Sequence, residues 1–419
     1  MNRDFAKYWP LDPGVTFLNH GSFGACPWPV LQAQSELRAR LERQPVRFMD
    51  TELEGLMDHA RARLAEFIKA PPADLAMIPN ATTGLSTVLR SLSFQPDDEI
   101  LATVHEYNAC RMAVRAAAAR AGARAVVARV PFPIRSPQEA IDAILSKASP
   151  RTRLAVISHI TSPTALVMPI EKIVAGLAER GIDTLVDGAH APGVVALDID
   201  AIGAAYYTGN CHKWMCAPKG SGFLYVRRDR QARIHPLVTS HGANSPRRDR
   251  SLFRLEFDWT GTSDPTPWLT IPNAIDFVAS LLPRGWADVR QANHELVLYG
   301  LQRLAASLGV TELPAPNDML GSMAAVELPA DLEPAPTDPP ADLDADSTYP
   351  LDPLHNSLVA DDAIEVPVYP WPHSPVDDAP RRRLLRISAQ LYNEPADYDR
   401  LSNVIAQRRG VEPGALARR

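Results

Sequence analysis

Apolar positions along this chain change their period several times, and each change marks an element. Between residues 52 and 67, Leu53, Leu56, Met57, Leu64 and Phe67 recur near one face of a helix. Residues 30–41 have the same period. From residue 75 the pattern shortens. Leu75-Ala76-Met77-Ile78 is a four-residue apolar run closed by Pro79, which reads as a buried strand. A helix over 85–91 follows, then a strand at 99–104, an alanine-rich helix at 111–124 and a strand at 125–130. A helix at 136–149, a strand at 154–158 and a helix at 170–180 come next, the last closed by Gly181. Leu185 and Val186 lie in a strand that ends at Asp187, and further strands are expected at 204–207 and 223–226. This alternation predicts an α/β fold, a mostly parallel sheet with helices on both faces.

The remainder reads differently. Residues 1–16 suggest an extended arm with turns at Pro10 and Asp12-Pro13-Gly14. Helices are expected at 268–282 and 289–309, separated by Pro283-Arg284-Gly285. Strands at 323–328, 364–368 and 384–388 and a last helix at 398–407 follow. Residues 329–353, rich in proline, aspartate and alanine, read as an irregular loop.

Composition narrows the function classes. The chain has 419 residues, 46% of them apolar, and a net charge of −6. That balance leaves no electrostatic footprint for nucleic acid or anionic membrane. The two basic clusters, Arg247-Arg248-Asp249-Arg250 and Arg381-Arg382-Arg383, have acidic neighbours and read as solvated turns. The four cysteines show no metal-ligand spacing, so a reducing, cytoplasmic setting is expected and no metal. The first residues carry no apolar signal segment, and no apolar run reaches membrane-spanning length.

Two strand ends carry the chemistry. Lys213 follows the apolar run at 204–207 and stands between His212 and Trp214. A lysine desolvated there can lose its proton near neutral pH and attack a carbonyl, although from this peptide alone a surface lysine is the better reading, and it is a second peptide upstream that reverses it. Asp187 closes the preceding strand, where open α/β sheets bind ligands. An amine and a carboxylate at neighbouring strand ends are the pair that pyridoxal 5′-phosphate needs, one for its aldehyde and one for its ring nitrogen. Upstream, Asn80-Ala81-Thr82-Thr83-Gly84 lies between a strand and a helix start. Its N–H groups and hydroxyls suit a phosphate, or Thr82 or Thr83 simply caps the helix. Arg386 interrupts an apolar strand, so it should meet either an anion or an internal acid.

Four stretches are similar to one family: FLNHGSFGACP (17–27), SPTALVMPI (162–170), VDGAHAPG (186–193) and HKWMCAPKGSGFLYV (212–226). They resemble the class V aminotransferases among the fold-type I pyridoxal-phosphate enzymes, in the isopenicillin N epimerase-like branch, over about residues 17–401. The resemblance implies a mostly parallel, seven-stranded-type sheet in a large domain (21–285). A smaller α+β domain (286–419) would be completed by an N-terminal arm (1–20). Ala81, Thr82, Thr83, Asn210 and His212 would hold the phosphate, Tyr107 would stack on the ring, and His190 would bond the phenolic oxygen. Thr164 would be a further contact, beside Ser162 where many relatives have asparagine. Thr262 would reach the phosphate of a neighbouring subunit, making the protein a homodimer with shared sites. Asn19, His20 and Arg386 would meet an amino acid substrate, Arg386 through its carboxylate.

The reaction implied is epimerisation or racemisation at an α-carbon, with C–S lyase (desulfhydrase) or aminotransferase action as alternatives. A persulfide-forming desulfurase needs a cysteine late in the chain, and none follows Cys216. A non-catalytic pyridoxal-binding sensor could dispense with Arg386 or Tyr107, yet both are present. For return of the proton to the opposite face, Tyr107, His20 or a water are the candidates.

Overall fold

The structure is a computed structural model that describes residues 3–330, 332, 352–372 and 382–410. Its centre is a seven-stranded sheet built from β1 (Leu75–Ile78), β2 (Glu99–Thr103), β3 (Arg124–Ala128), β4 (Thr152–Ser158), β5 (Asp183–Gly188), β6 (Tyr206–Asn210) and β7 (Gly222–Val226). The spatial order is β1-β7-β6-β5-β4-β2-β3. Only β7 runs against its neighbours. The other six strands therefore end at one edge of the sheet. Strands β1, β2, β5, β6 and β7 are buried along most or all of their length, as expected for a sheet covered on both faces.

The helices that position the site begin at that edge. Helix α1 (Trp28–Arg43) and α2 (Leu53–Ile68) precede the sheet; α3 (Ala81–Ser91) follows β1 and α4 (Asn108–Ala121) follows β2. Helix α3 starts four residues earlier than its apolar pattern suggests. The cap explains this: the Asn80 side chain accepts from Thr83 N at 2.9 Å, and Ala81 N is held separately by Asn210.

A second, three-stranded antiparallel sheet has β10 (Arg382–Ser388) between β9 (Val368–Trp371) and β8 (Met323–Glu327). Helix α5 (Trp286–Leu308) packs on β8 and on α6 (Pro395–Arg408). One apolar core runs continuously from Leu18 through the large sheet to Ile405. The early chain also pairs with the late chain, Thr16 and Phe17 lying parallel to Ile364 and Glu365.

Several expectations need correction. The first residues form a 3-10 turn (Arg3–Tyr8) rather than an extended arm. The helix expected over 268–282 is two pieces, Thr266–Leu269 and Ile271–Ser280, with Pro272 at the second start, where it lacks a donor that is not needed. The strand expected over 364–368 is likewise split around Pro367. The glycine turn after Phe17 contains a short helix, His20–Phe23. Most of the 329–353 loop lies outside the described residues. Its end, Asp352, caps a helix, Pro353–Asp362, that periodicity did not reveal. No helix among the described residues is long and apolar enough to cross a membrane.

Candidate active site

The C-terminal strand edge collects the chemistry. β5 and β6 are neighbours in register, with Asp187 opposite Thr208. Asp187 and Lys213 therefore come from adjacent strand ends. Asp187 is buried; its Oδ1 accepts from Ala189 N at 2.9 Å and its Oδ2 from the Cys110 thiol of α4 at 3.0 Å. The Cys110 thiol is held well above its usual pKa, by burial first and the Asp187 charge second.

The Lys213 loop is fixed from several sides. Cys211 N and His212 N both donate to Ser221 O, and Cys216 N bonds back to Lys213 O. Gly24, at φ 70°, lies so close to Lys213 that an added Cβ would stand 2.8 Å from its Cα. The Lys213 amine is 3.2 Å from His190 Nε2. Burial, reinforced by the Arg386 charge and opposed by Asp187, lowers its pKa to about 8. This is the desolvated lysine that the sequence left open.

Around the start of α3, Ala81 N donates to Asn210 Oδ1 at 2.8 Å, and Thr83 N and Oγ1 both donate to Asn80 Oδ1. Thr82, exposed, keeps its N–H without a partner among the described residues. His212 donates through Nδ1 to Ser221 O at 3.0 Å, which leaves Nε2 for another group. A helix start with a spare N–H, an amide and an imidazole nearby is a workable anion cup.

Arg386, in β10, is fully buried. Nη1 donates to Ser162 O at 2.7 Å and to Ser162 Oγ at 3.3 Å, Nη2 donates to Ser22 Oγ at 3.1 Å, and the guanidinium lies 5.0 Å from the Tyr369 ring centre. Its Nε donates to nothing, and no carboxylate pairs with it among the described residues. The internal ion pair that the sequence allowed is thus absent there.

The structure does not bring every expected residue to this edge in a form ready to bind. His20 is completely buried, with Nδ1 2.8 Å from Tyr392 Oη and Nε2 3.1 Å from Lys213 O. Burial presses its pKa down to about 3. With both nitrogens engaged, His20 braces the lysine loop and has none to offer a substrate or a proton relay. Thr164 is also buried, and its hydroxyl meets His105 Nδ1 at 2.8 Å and Thr161 Oγ1 at 2.7 Å. Asn19 accepts from Ser22 Oγ at 2.5 Å, beside Arg386. Tyr107 is exposed at the start of α4. Thr262 is exposed in the loop before Asp264.

Sequence patterning missed Cys110, Ser22 and Tyr369. Ser22 meets Arg386 from 364 positions away, so no local signal could pair them.

The class V aminotransferase model matches residues 25–335, most of the chain. This chain belongs to the class V aminotransferase family. It is 34% identical to isopenicillin N epimerase of Amycolatopsis lactamdurans over 95% of this chain and 96% of that one. It is also 32% identical to a probable chloroplastic L-cysteine desulfhydrase of Arabidopsis thaliana, over 94% of this chain and 83% of that one. Among solved structures it resembles a C-DES mutant with glycine covalently linked to the PLP cofactor. The TM-score is 0.77 at 20% identity, covering 97% and 99% of the two chains. The class V membership and fold-type I architecture make this a pyridoxal 5′-phosphate enzyme. The residues fit that group: the spare Thr82 N–H and His212 Nε2 suit its phosphate, Asp187 its ring nitrogen and Lys213 its aldehyde.

Proposed function

We propose that the protein moves a proton at the α-carbon of an amino acid or peptide-like amino acid, as an epimerase or racemase. The observation that carries the reading is Arg386, a buried guanidinium without an acid partner among the described residues, in the same site as the low-pKa Lys213. Bringing such a charge out of water and leaving it unmatched is costly. A substrate carboxylate supplies the missing partner, and the planar fork orients it.

When bound, pyridoxal phosphate withdraws electron density from the α-carbon. The chain does the rest. Arg386 holds the carboxylate, and Ser22 and Ser162 hold Arg386. The Lys213 amine takes the α-proton on its face; a pKa near 8 makes it a usable base and acid at neutral pH. Epimerisation needs a donor on the other face. With His20 engaged, Tyr107 or a water delivered beside it takes that role.

The likeness to isopenicillin N epimerases supports this outcome. The desulfhydrase relatives support a second reading, elimination of a β-sulfur, because their identity is nearly as high. A homodimer with Thr262 reaching the partner's phosphate completes the proposal, and four buried free thiols suit a reducing cytoplasm. The test is incubation with amino acids in deuterated water, followed together for α-deuterium, enantiomer, pyruvate, sulfide and keto acid. Deuterium in both enantiomers supports the epimerase reading. Sulfide and pyruvate without racemisation replace it with the lyase.

A further inference from the structure

We propose that Trp214 is a positioning residue: its indole N–H fixes the tautomer of His190, so that His190 presents Nε2–H to the Lys213 amine. The inference rests on the placement of Lys213 and His190 in the cofactor site and extends it to a residue outside the contact set.

The argument is one of donors and acceptors. Trp214 Nε1 lies 3.3 Å from His190 Nδ1. An indole nitrogen can only donate, so Nδ1 must offer its lone pair. Burial first, and with it the neighbouring positive charge of Arg386, keeps the His190 ring neutral. A neutral imidazole has one proton, and with Nδ1 accepting, that proton is on Nε2. Nε2 is the nitrogen 3.2 Å from Lys213 Nζ. An ammonium there would set two donors face to face. The contact is satisfied when Lys213 is the free amine, the form that can attack a carbonyl or accept a proton.

Trp214 is well held for this purpose. It is buried, its ring packs on His20 with centres 4.8 Å apart, and Gly193 at φ 93° lets the chain pass close to its backbone. The adjacent His212 is fixed in the opposite sense. Its Nδ1 faces the Ser221 carbonyl, which can only accept, so its proton stays on Nδ1. Two histidines at one site thus have opposite tautomers, each set by a partner with a single hydrogen-bonding role.

The experiment is nitrogen NMR of the ligand-free full chain containing ¹⁵N-histidine, with His190 assigned through H190Q. The expected wild-type spectrum shows His190 protonated on Nε2 and bare on Nδ1. Replacing Trp214 with benzothienylalanine keeps the shape and removes the N–H; W214F is the natural-residue counterpart. Either change should shift His190 toward the Nδ1–H form. The Lys213 ammonium could then donate to the bare Nε2, raising its pKa by about one unit and slowing amine-directed labelling roughly tenfold near neutral pH. A wild-type Nδ1–H signal overturns the proposal, as does an isosteric variant with tautomer and labelling unchanged. If borohydride fails to fix pyridoxal phosphate on Lys213 of the loaded wild type, the site assignment is wrong while the tautomer result still stands.

Discussion

Among the described residues, two arginines are almost completely inaccessible, and they should respond oppositely to loss of charge. Arg61, on α2, has Asp58 and Asp258 as partners. Arg386 has hydroxyls, a carbonyl and an aromatic face but no acid among the described residues. Arg61→Met leaves two carboxylates short of a counter-charge, although Arg250 and Arg254 still pair with Asp58. Removing one partner of a buried pair costs about 3–5 kcal/mol, and the remaining arginines should reduce this to roughly 2–3. An entropy of unfolding near 2.1 cal/mol/K per residue makes each kcal/mol worth about 1 °C of Tm in a chain of this length. The Arg61 variant should therefore melt about 2–3 °C lower and keep its kcat/KM.

Arg386→Met removes a charge that folding had to bury alone, so the ligand-free protein should melt at the same temperature or higher. Its catalytic cost should be large. Loss of a buried, charge-assisted clamp on a carboxylate is worth about 3–4 kcal/mol, or roughly 10²–10³-fold in kcat/KM. Arg386→Lys should restore little, because an ammonium lacks the fork. The assays are thermal unfolding without ligand and steady-state kinetics on the substrate that shows α-exchange. If Arg386→Met melted as low as the Arg61 variant, or kept kcat/KM within threefold, Arg386 would be a structural residue and the carboxylate assignment would fail.

Other expectations follow from single contacts. Lys213 has its pKa lowered in the folded protein, so between about 8 and its unfolded value the unfolded chain binds more protons. Ligand-free stability should rise with pH across that window, and Lys213→Met should flatten the rise in pH-dependent urea melts. Glu106 shows the reverse case: burial, outweighing its bonds to Ser158 and Thr103, raises its pKa to about 7. Its contribution should fall as pH rises from the unfolded value near 4.5 through 7, and Glu106→Gln should abolish that slope. Gly24→Ala forces a Cβ into the Lys213 backbone at a positive φ and should cost about 2 kcal/mol or more, together with cofactor affinity, measured by denaturant melts and cofactor titration. Cys110→Ala removes a weak donor from Asp187 Oδ2 and should change cofactor affinity by less than tenfold, whereas Asp187→Ala should change it far more.

The strand–helix alternation over residues 75–226 was legible because burial on both faces forces short apolar runs, and turns punctuate them. The positions of Asp187 and Lys213 at neighbouring strand ends were legible for the same reason, since strand ends are marked locally. What local patterning could not show was which groups were already occupied. His20 looked available beside its glycines, yet Tyr392, 372 positions away, takes one nitrogen and the Lys213 carbonyl the other. Arg386 allowed two readings until its surroundings excluded an acid among the described residues. Helix α3 began early because Asn80 and Asn210 satisfy its first N–H groups, a matter of capping rather than apolar period.

The central claim is that Lys213 is the amine that holds the cofactor, opposite Asp187. Borohydride reduction of the cofactor-loaded protein, followed by peptide mass spectrometry, tests it directly. The expected result is a pyridoxyl group on Lys213 alone, lost in Lys213→Ala; attachment at another lysine, or the same yield in that variant, would contradict it.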